Sequence, residues 1–504
     1  MWTRLTFFAG LYLSCASSLF AVSETEALQS GVERQAAEQY QKALRFRDIF
    51  RDVALKYGKT EEDVREALFP PTLEGLRTPE RALRAASPAQ ALEAVAQHGK
   101  GSSALNLYYH GLRTPFGEPT AGDAIFDAKG PATLVIVPGM LQESLDDDMF
   151  AEITEVPTSF NQSYGARLEG VEDFAYDWGE LAEKAVPLSA QLRIGSIDDK
   201  DGKPLIQLIV LRSAFGSFET VGPIERSSET YLRRLNKFLE LLPPEAYQNL
   251  YLVGFSRGTM ISLNMLAKID REGSYPSLRR ALRGIITLGG VVYGSELSDH
   301  PYRPFRPMLP EKTEAPDPLF LMEQTFKLVS VILKNSWDPI SNLKRMAVLA
   351  REVNQAAEEI KTAARLDWWK NHVLPPEVPI YSINGSMPMQ AMTLWPFRDA
   401  PFFGFGEPDY ALLKIMAAKL QQVSGSYLND GQITDAKGRL WAGLAERLNP
   451  RQKPLKVQPL GNVATHHYAL GTRACIQQAG GKFNLFPRKI MLEALGAFVL
   501  EQQL

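Results

Sequence analysis

The chain has 504 residues, of which 45% are hydrophobic and 22% charged, a balance that fits a soluble globular protein and excludes a disordered or fibrous one. That length supplies apolar material for a large core and for more than one structural unit. A net charge of −3 without a long basic run excludes a general nucleic-acid binder, and two cysteines, Cys15 and Cys475, exclude a disulfide framework or a cysteine-rich metal site.

The N-terminus reads as an export signal covering residues 1–23. Arg4 supplies the positive charge, and residues 5–20 form a mostly apolar run, too short and too interrupted by Ser and Cys to span a bilayer. Ala21-Val-Ser23 places small residues at the spacing a signal peptidase prefers, so the mature chain is expected to begin near Glu24, periplasmic or secreted. Cys15 is the alternative, a lipid-anchor site, but Tyr12-Leu-Ser-Cys15 has tyrosine where a lipobox wants leucine. Once the signal is removed only Cys475 remains, which suits an oxidising compartment. No later segment reads as transmembrane.

Residues 24–105 read as an N-terminal helical region. Residues 29–55 are charged and amphipathic at helical spacing, Phe69-Pro-Pro71 breaks the pattern, and Thr78-Pro79 is expected to start another helix with proline in its first turn. Packing is the expected role, and no chemistry is apparent.

From residue 106 the pattern alternates between strand and helix. Residues 132–137 are a continuous apolar run before Pro138-Gly139, as in a strand buried on both faces of a parallel sheet. Residues 192–197 and 205–211 flank Asp198-Asp-Lys-Asp-Gly202 and read as a hairpin. Ile197 stands where an EF-hand would need its first ligand, so a solvated turn is expected there rather than a calcium loop. An amphipathic helix over 228–242 stops at Pro243-Pro244. An apolar run from Asn249 then ends in Gly254-x-Ser256-x-Gly258, and a helix over 259–270 follows at once. Residues 284–292 and 378–383 are further strands, and 491–501 a closing helix. Such alternation implies an α/β fold, a mainly parallel sheet flanked by helices, in one domain spanning 106–504.

Two stretches interrupt the rhythm and are too long for structureless loops. Residues 294–377, with helical segments over 320–334 and 340–370, read as an inserted helical cap. Residues 386–429 are rich in aromatics, with a helix over 408–422, and read as part of a substrate wall. Trp368-Trp369, Trp395, Phe402, Phe403 and Phe405 point to an apolar substrate unless they are core. Asp146-Asp-Asp148 reads as a solvated or helix-capping run.

Strand, sharp turn and helix form the context in which G-x-S-x-G carries chemistry. The turn forces Ser256 into a strained conformation and lifts its hydroxyl clear of the sheet, and side chains at Gly254 or Gly258 would strike neighbouring elements. The bland alternative is a glycine-rich turn with a capping serine.

On this elbow, and on the order of the motifs around it, the segment from 130 to 504 resembles the α/β-hydrolase superfamily, in its lipase- and esterase-like serine hydrolases. The resemblance implies that Ser256 is the nucleophile, which needs a base to take its proton. The family places that base near the C-terminus, where Ala464-Thr-His466-His467-Tyr-Ala-Leu470 is the candidate segment. Its Tyr-Ala-Leu tail aligns with the family pattern if His467 is the base, with His466 as the alternative. His98, His110, His300 and His372 fall outside that place, no pair has zincin spacing, and neither a catalytic metal nor a cofactor is expected. Asn429-Asp430-Gly431-Gln-Ile resembles the loop that carries the acid, which makes Asp430 the choice, Asp435 the fallback, and Asp399 and Asp409 outside candidates. An ordinary turn is the other reading of the same residues. The oxyanion donors would be the amides of Arg257 and Met140, with Leu141 second, although the chain has Pro138-Gly139 where the family often has His-Gly. The Arg257 side chain would either favour an acidic substrate or, preferably, pair with an acidic residue of the cap.

The implied function is an exported serine hydrolase that cleaves a carboxylic ester, lipid or otherwise apolar, through a Ser-His-Asp triad and an acyl-enzyme. A peptidase, amidase or thioesterase could use the same triad, and a non-catalytic hydrolase-like binding protein is the reading from another class. The expected partner is a small-molecule or lipid ester, a lipid substrate being compatible with association at a membrane surface. No nucleic acid is expected, and the oligomeric state is not legible.

Overall fold

β2 (Ala132–Val137) is an interior strand of the main sheet, with all six residues buried. It runs parallel to β6 (Pro204–Leu211) on one side and to β7 (Leu250–Phe255) on the other. Beyond β7 the sheet continues in parallel through β8 (Leu282–Leu288), β9 (Ile380–Gly385) and β10 (Val457–Val463). β1 (Leu68–Phe69) closes one edge and β5 (Leu192–Asp198) the other, both antiparallel, giving the order β1-β10-β9-β8-β7-β2-β6-β5. The α/β architecture with a mainly parallel sheet is thus as expected. A separate antiparallel pair, β3 (Glu172–Asp177) and β4 (Ala182–Pro187), lies outside the main sheet and was not foreseen.

The computed structural model describes residues 31–85, 87–100, 130–140, 149–177, 182–214, 218–299, 351–353, 355–386, 408–471 and 488–502. The export signal with Cys15, the residues Leu141, Asp146-Asp-Asp148, His110, His300, Trp395, Asp399, Phe402, Phe403, Phe405 and Cys475, and the helix expected over 320–334 lie outside the described residues.

Successive residues of a strand face opposite sides of a sheet. Leu134 and Ile136 accordingly pack with Phe46, Phe50, Leu495 and Phe498, while Val135 and Val137 pack with Tyr231, Leu235, Ile261 and Met265. One face is thus covered by the helices 31–56 and Arg488–Glu501, the other by Ile224–Leu239 and Arg257–Glu272. Each such buried aliphatic or aromatic side chain contributes about 1.5–3 kcal/mol relative to exposure, which is why both faces of β2 are apolar.

The N-terminal helical region is built into this sheet. β1 pairs with β10, Phe46 meets Phe498 edge-on at 5.5 Å, and Gln39 bonds the Val457 carbonyl at 2.6 Å. Lys56 and the Tyr57 hydroxyl both reach the buried carboxylate of Glu493. Pro79 does not start a helix: it lies inside Leu73–Ala85. The start signal is Thr72, whose hydroxyl accepts from the Gly75 N–H at 3.0 Å, and the proline costs one intrahelical bond. The acidic run after β5 is a hairpin turn, in which Asp199 Oδ1 accepts from the N–H groups of Asp201 and Lys203. Among the described residues, no helix is long and apolar enough to cross a membrane.

Candidate active site

Ser256 stands between β7 and the helix Arg257–Glu272 with φ 53° and ψ −125°, a conformation that non-glycine residues rarely adopt. The glycines around it are sterically required. A methyl group on Gly258 would lie 2.1 Å from the Val137 carbonyl oxygen, and one on Gly254 would lie 2.5 Å from the Thr259 Cα. The elbow is also tied to the neighbouring strand, since the Ser256 N–H donates to Leu288 and its carbonyl accepts from Val291.

His467 follows β10, and its Nε2 lies 2.8 Å from Ser256 Oγ while its Nδ1 lies 2.7 Å from Asp430 Oδ2. The carboxylate can only accept, so Nδ1 carries the proton, and Nε2 is left to accept from the serine hydroxyl. Asp430 Oδ1 in turn accepts from the N–H groups of Gln432 and Ile433 at 2.9 and 2.8 Å, and the Asp430 carbonyl accepts from the His467 N–H at 2.9 Å. Asp430 and His467 are each 1% exposed and Ser256 9%, so the serine is the member nearest to solvent. The Phe255 ring lies 5.1 Å from the imidazole and shields it.

Space for this arrangement comes from glycines at strand ends that were not singled out in the sequence. Gly385 closes β9, and a methyl group there would come within 2.8 Å of the Asp430 Cβ. Gly289, just after β8, has φ +52°, and a methyl group there would lie 2.8 Å from Leu470 Cδ1, beside Asp430 Oδ2 and His467 Nδ1. A glycine at the C-terminal end of a buried strand was the available signal.

The structure separates the alternatives by position. His466 turns its Nδ1 to the Ala469 N–H at 3.2 Å, within the short turn Tyr468–Leu470. Asp435 bonds His98, at 2.8 Å, rather than His467. Asp409 lies in the helix Pro408–Ser424. Gly139 packs against the elbow, where a methyl group would lie 3.0 Å from Ser256 Cβ, and Met140 is the next residue along the loop that passes the serine. Arg257 begins the elbow helix, where the first N–H groups have no intrahelical acceptor. Its guanidinium turns away from Ser256 and holds the carbonyls of Thr220 and Gly222 and the carboxylate of Glu359, a residue of the inserted segment. The neighbouring Arg365 is fully buried, which pulls its pKa down to about 9.

Trp368 and Trp369 are core: their indole N–H groups donate to Asn264 and to the Val292 carbonyl. His372 stacks on Trp368 at 4.5 Å. Among the described residues, no group of His, Cys, Asp and Glu side chains could hold a metal ion.

The sheet order and the elbow are those of an α/β-hydrolase-like fold. No protein-family model matches the chain, and no curated protein matches it. Among solved structures it is distantly similar to a metagenomic carboxyl esterase, at 17% identity and a TM-score of 0.38, over 77% of this chain and 79% of that one. The mature form of a Bacillus licheniformis lipase shares 14% identity at a TM-score of 0.29, over 70% of this chain and 89% of that one. An esterase from Rhodococcus sp. shares 11% at 0.22, over 66% and 86%.

Proposed function

We propose that this protein is a serine hydrolase that cleaves carboxylic esters of apolar acids or alcohols, lipids included. His467 takes the proton of Ser256 as the serine oxygen attacks the ester carbonyl, and Asp430 holds the imidazole in the required tautomer and stabilises its positive charge. The amides of Arg257 and Met140 receive the developing oxyanion. The alcohol leaves with the proton from His467. Water then attacks the acyl-enzyme with the same histidine as base, releasing the acid and restoring the serine.

The observation that supports this reading is the unbroken chain from Asp430 through His467 to Ser256, at 2.7 and 2.8 Å, ending on a serine held at positive φ. A capping or structural serine has no need of a buried imidazole backed by a carboxylate. The apolar run and small residues before Glu24 support export as part of the same proposal.

Labelling with a fluorophosphonate followed by peptide mapping tests the mechanism. The label is expected on Ser256, lost in His467→Ala and kept in His466→Ala. A folded wild-type protein that takes no label overturns the reading. Parallel assays on p-nitrophenyl esters and p-nitroanilides separate esterase from amidase, and N-terminal sequencing of the exported product, expected to begin near Glu24, tests the export.

A further inference from the structure

The loop that carries Asp430 is closed on itself. Asn429 pairs with Thr434, and the Asp435 N–H donates to the Leu428 carbonyl at 2.8 Å. The place of Asp430 therefore depends on what fixes this closed loop to the rest of the protein. One fixing point is the side chain of Asp435, beside the bonds of Ser295 to the Gln432 carbonyl, of Thr434 to Glu296 and of Gln432 to the Tyr468 hydroxyl. One Asp435 oxygen accepts from Asn384 Nδ2 at 2.8 Å, and the other meets His98 Nε2 at 2.8 Å and the Arg439 guanidinium at 3.1 Å. Asn384 belongs to β9, next to the Gly385 that packs on Asp430. His98 comes from the N-terminal region, at the end of the helix Pro88–Gln97.

Gly99 and Lys100, next after His98, meet the other end of the same loop. The Gly99 carbonyl accepts from the Tyr427 N–H at 2.9 Å, and Lys100 pairs with Ser426. Residues 98–100 thus hold the loop on both sides of Asp430. His98 and Asp435 are both buried, and the Trp441 ring meets the imidazole edge-on at 4.9 Å, so neither side chain has freedom to drift.

We infer that His98 is a positioning residue for Asp430: its bond to Asp435 fixes the acid loop against His467, and the N-terminal helical region thereby completes the active site. The inference rests on the proposed function. It gives the N-terminal region a role in turnover that no motif in that region announces. Displacements of the order of 1 Å at a catalytic group can cost about a hundredfold in rate, so loss of this anchor is expected to act on kcat.

The test compares His98→Leu, which keeps volume and removes the donor, with His98→Gln, which returns a side-chain N–H near the place of Nε2. His98→Leu is expected to lower kcat on a p-nitrophenyl ester by about tenfold to a hundredfold with KM within about twofold, and His98→Gln to recover most of the loss. In the full chain, the far-downfield proton resonance of the His467–Asp430 bond, identified by its absence in His467→Ala, is expected to weaken or shift in His98→Leu and to return in His98→Gln. If His98→Leu does not fold, His98→Asn carries the same test with a polar side chain in the same space. A folded His98→Leu or His98→Asn with wild-type kcat and an unchanged resonance overturns the inference alone. Wild-type protein without label or turnover overturns the proposed function and the inference with it.

Discussion

Arg257 and Glu359 join the residue after Ser256 to the inserted segment through an ion pair whose arginine is buried. The same guanidinium bonds the carbonyls of Thr220 and Gly222, and the second Glu359 oxygen accepts from the Ile224 N–H. The insertion is therefore fastened at the start of the elbow helix, not only to the surface. Removing one member of a buried pair leaves the other without compensation, and the cost is commonly about 3–5 kcal/mol. Glu359→Gln keeps a hydrogen-bonding group and is expected to lose about 1–3 kcal/mol, and Arg257→Met more. Urea denaturation measures both. Equal stability of Glu359→Gln and wild type at low and high salt would mean that the pair does not fasten the insertion.

The backbone of Ser256 leads to a second prediction. Strained φ/ψ values of this kind cost about 1–3 kcal/mol in any residue with a side chain. Ser256→Ala and Ser256→Gly should both lose fluorophosphonate labelling, but only glycine relieves the strain. Ser256→Gly is expected to be about 1 kcal/mol more stable than Ser256→Ala, despite the entropy glycine costs in the unfolded chain. Identical denaturation midpoints for the two variants would argue that the turn is relaxed.

How legible this was in the sequence depended on the faces each element presents. β2 and β7 are buried on both sides and appear as largely apolar runs, as does β8 after the exposed Arg283. β10 is equally buried, but Gln458, Pro459, Gly461 and Asn462 break the run. Gly461 has its own reason, at φ +143°, since a methyl group there would lie 2.6 Å from the Phe69 carbonyl oxygen of β1. β3 and β4 were hidden because they are short and charged: β4 is largely exposed, and β3 buries Asp173 and Asp177 while exposing Phe174. At the site, Ser256 could be nominated because the elbow is a local pattern, and His467 and Asp430 because their order along the chain carries information. The His98–Asp435 bond spans 337 residues between two segments without a motif, and nothing local announces it.

Two glycines with opposite surroundings provide a third prediction. Gly385→Ala would press a methyl group to 2.8 Å from the Asp430 Cβ and 3.0 Å from the Thr465 carbonyl oxygen. The acid is then displaced from His467, and kcat should fall by about tenfold to a hundredfold with little change in KM. Gly165 lies within the helix Ser159–Glu169 with open space where a methyl group would go. Gly165→Ala is expected to raise stability by about 0.5–1 kcal/mol and leave turnover unchanged. Ester hydrolysis and thermal melts on the two variants check both, and an unaffected kcat in Gly385→Ala would show that the strand yields to the methyl group.

The last prediction concerns pH. Glu80 lies on the N-terminal helix Leu73–Ala85 and is buried, and burial raises its carboxyl pKa from 4.5 to about 7. The groups around it are Arg84 and Arg439, which oppose the rise, Glu446, which reinforces it, and the Gly443 N–H. A raised pKa means that the folded state holds a proton the unfolded state has released. The stabilising contribution is complete below pH 4.5 and is lost as pH rises towards about 7. His98, whose pKa burial lowers from 6.5, acts in the opposite sense, its contribution being lost as pH falls below that value. Comparison with Glu80→Gln isolates the first effect, because glutamine resembles the protonated acid in size and stays neutral. Stability is expected to fall between pH 5 and pH 7 by more in the wild type than in Glu80→Gln, so the variant gains on the wild type as pH rises. Urea denaturation at pH 5, 6, 7 and 8 measures the difference, and parallel curves for the two proteins would place the Glu80 titration outside this window.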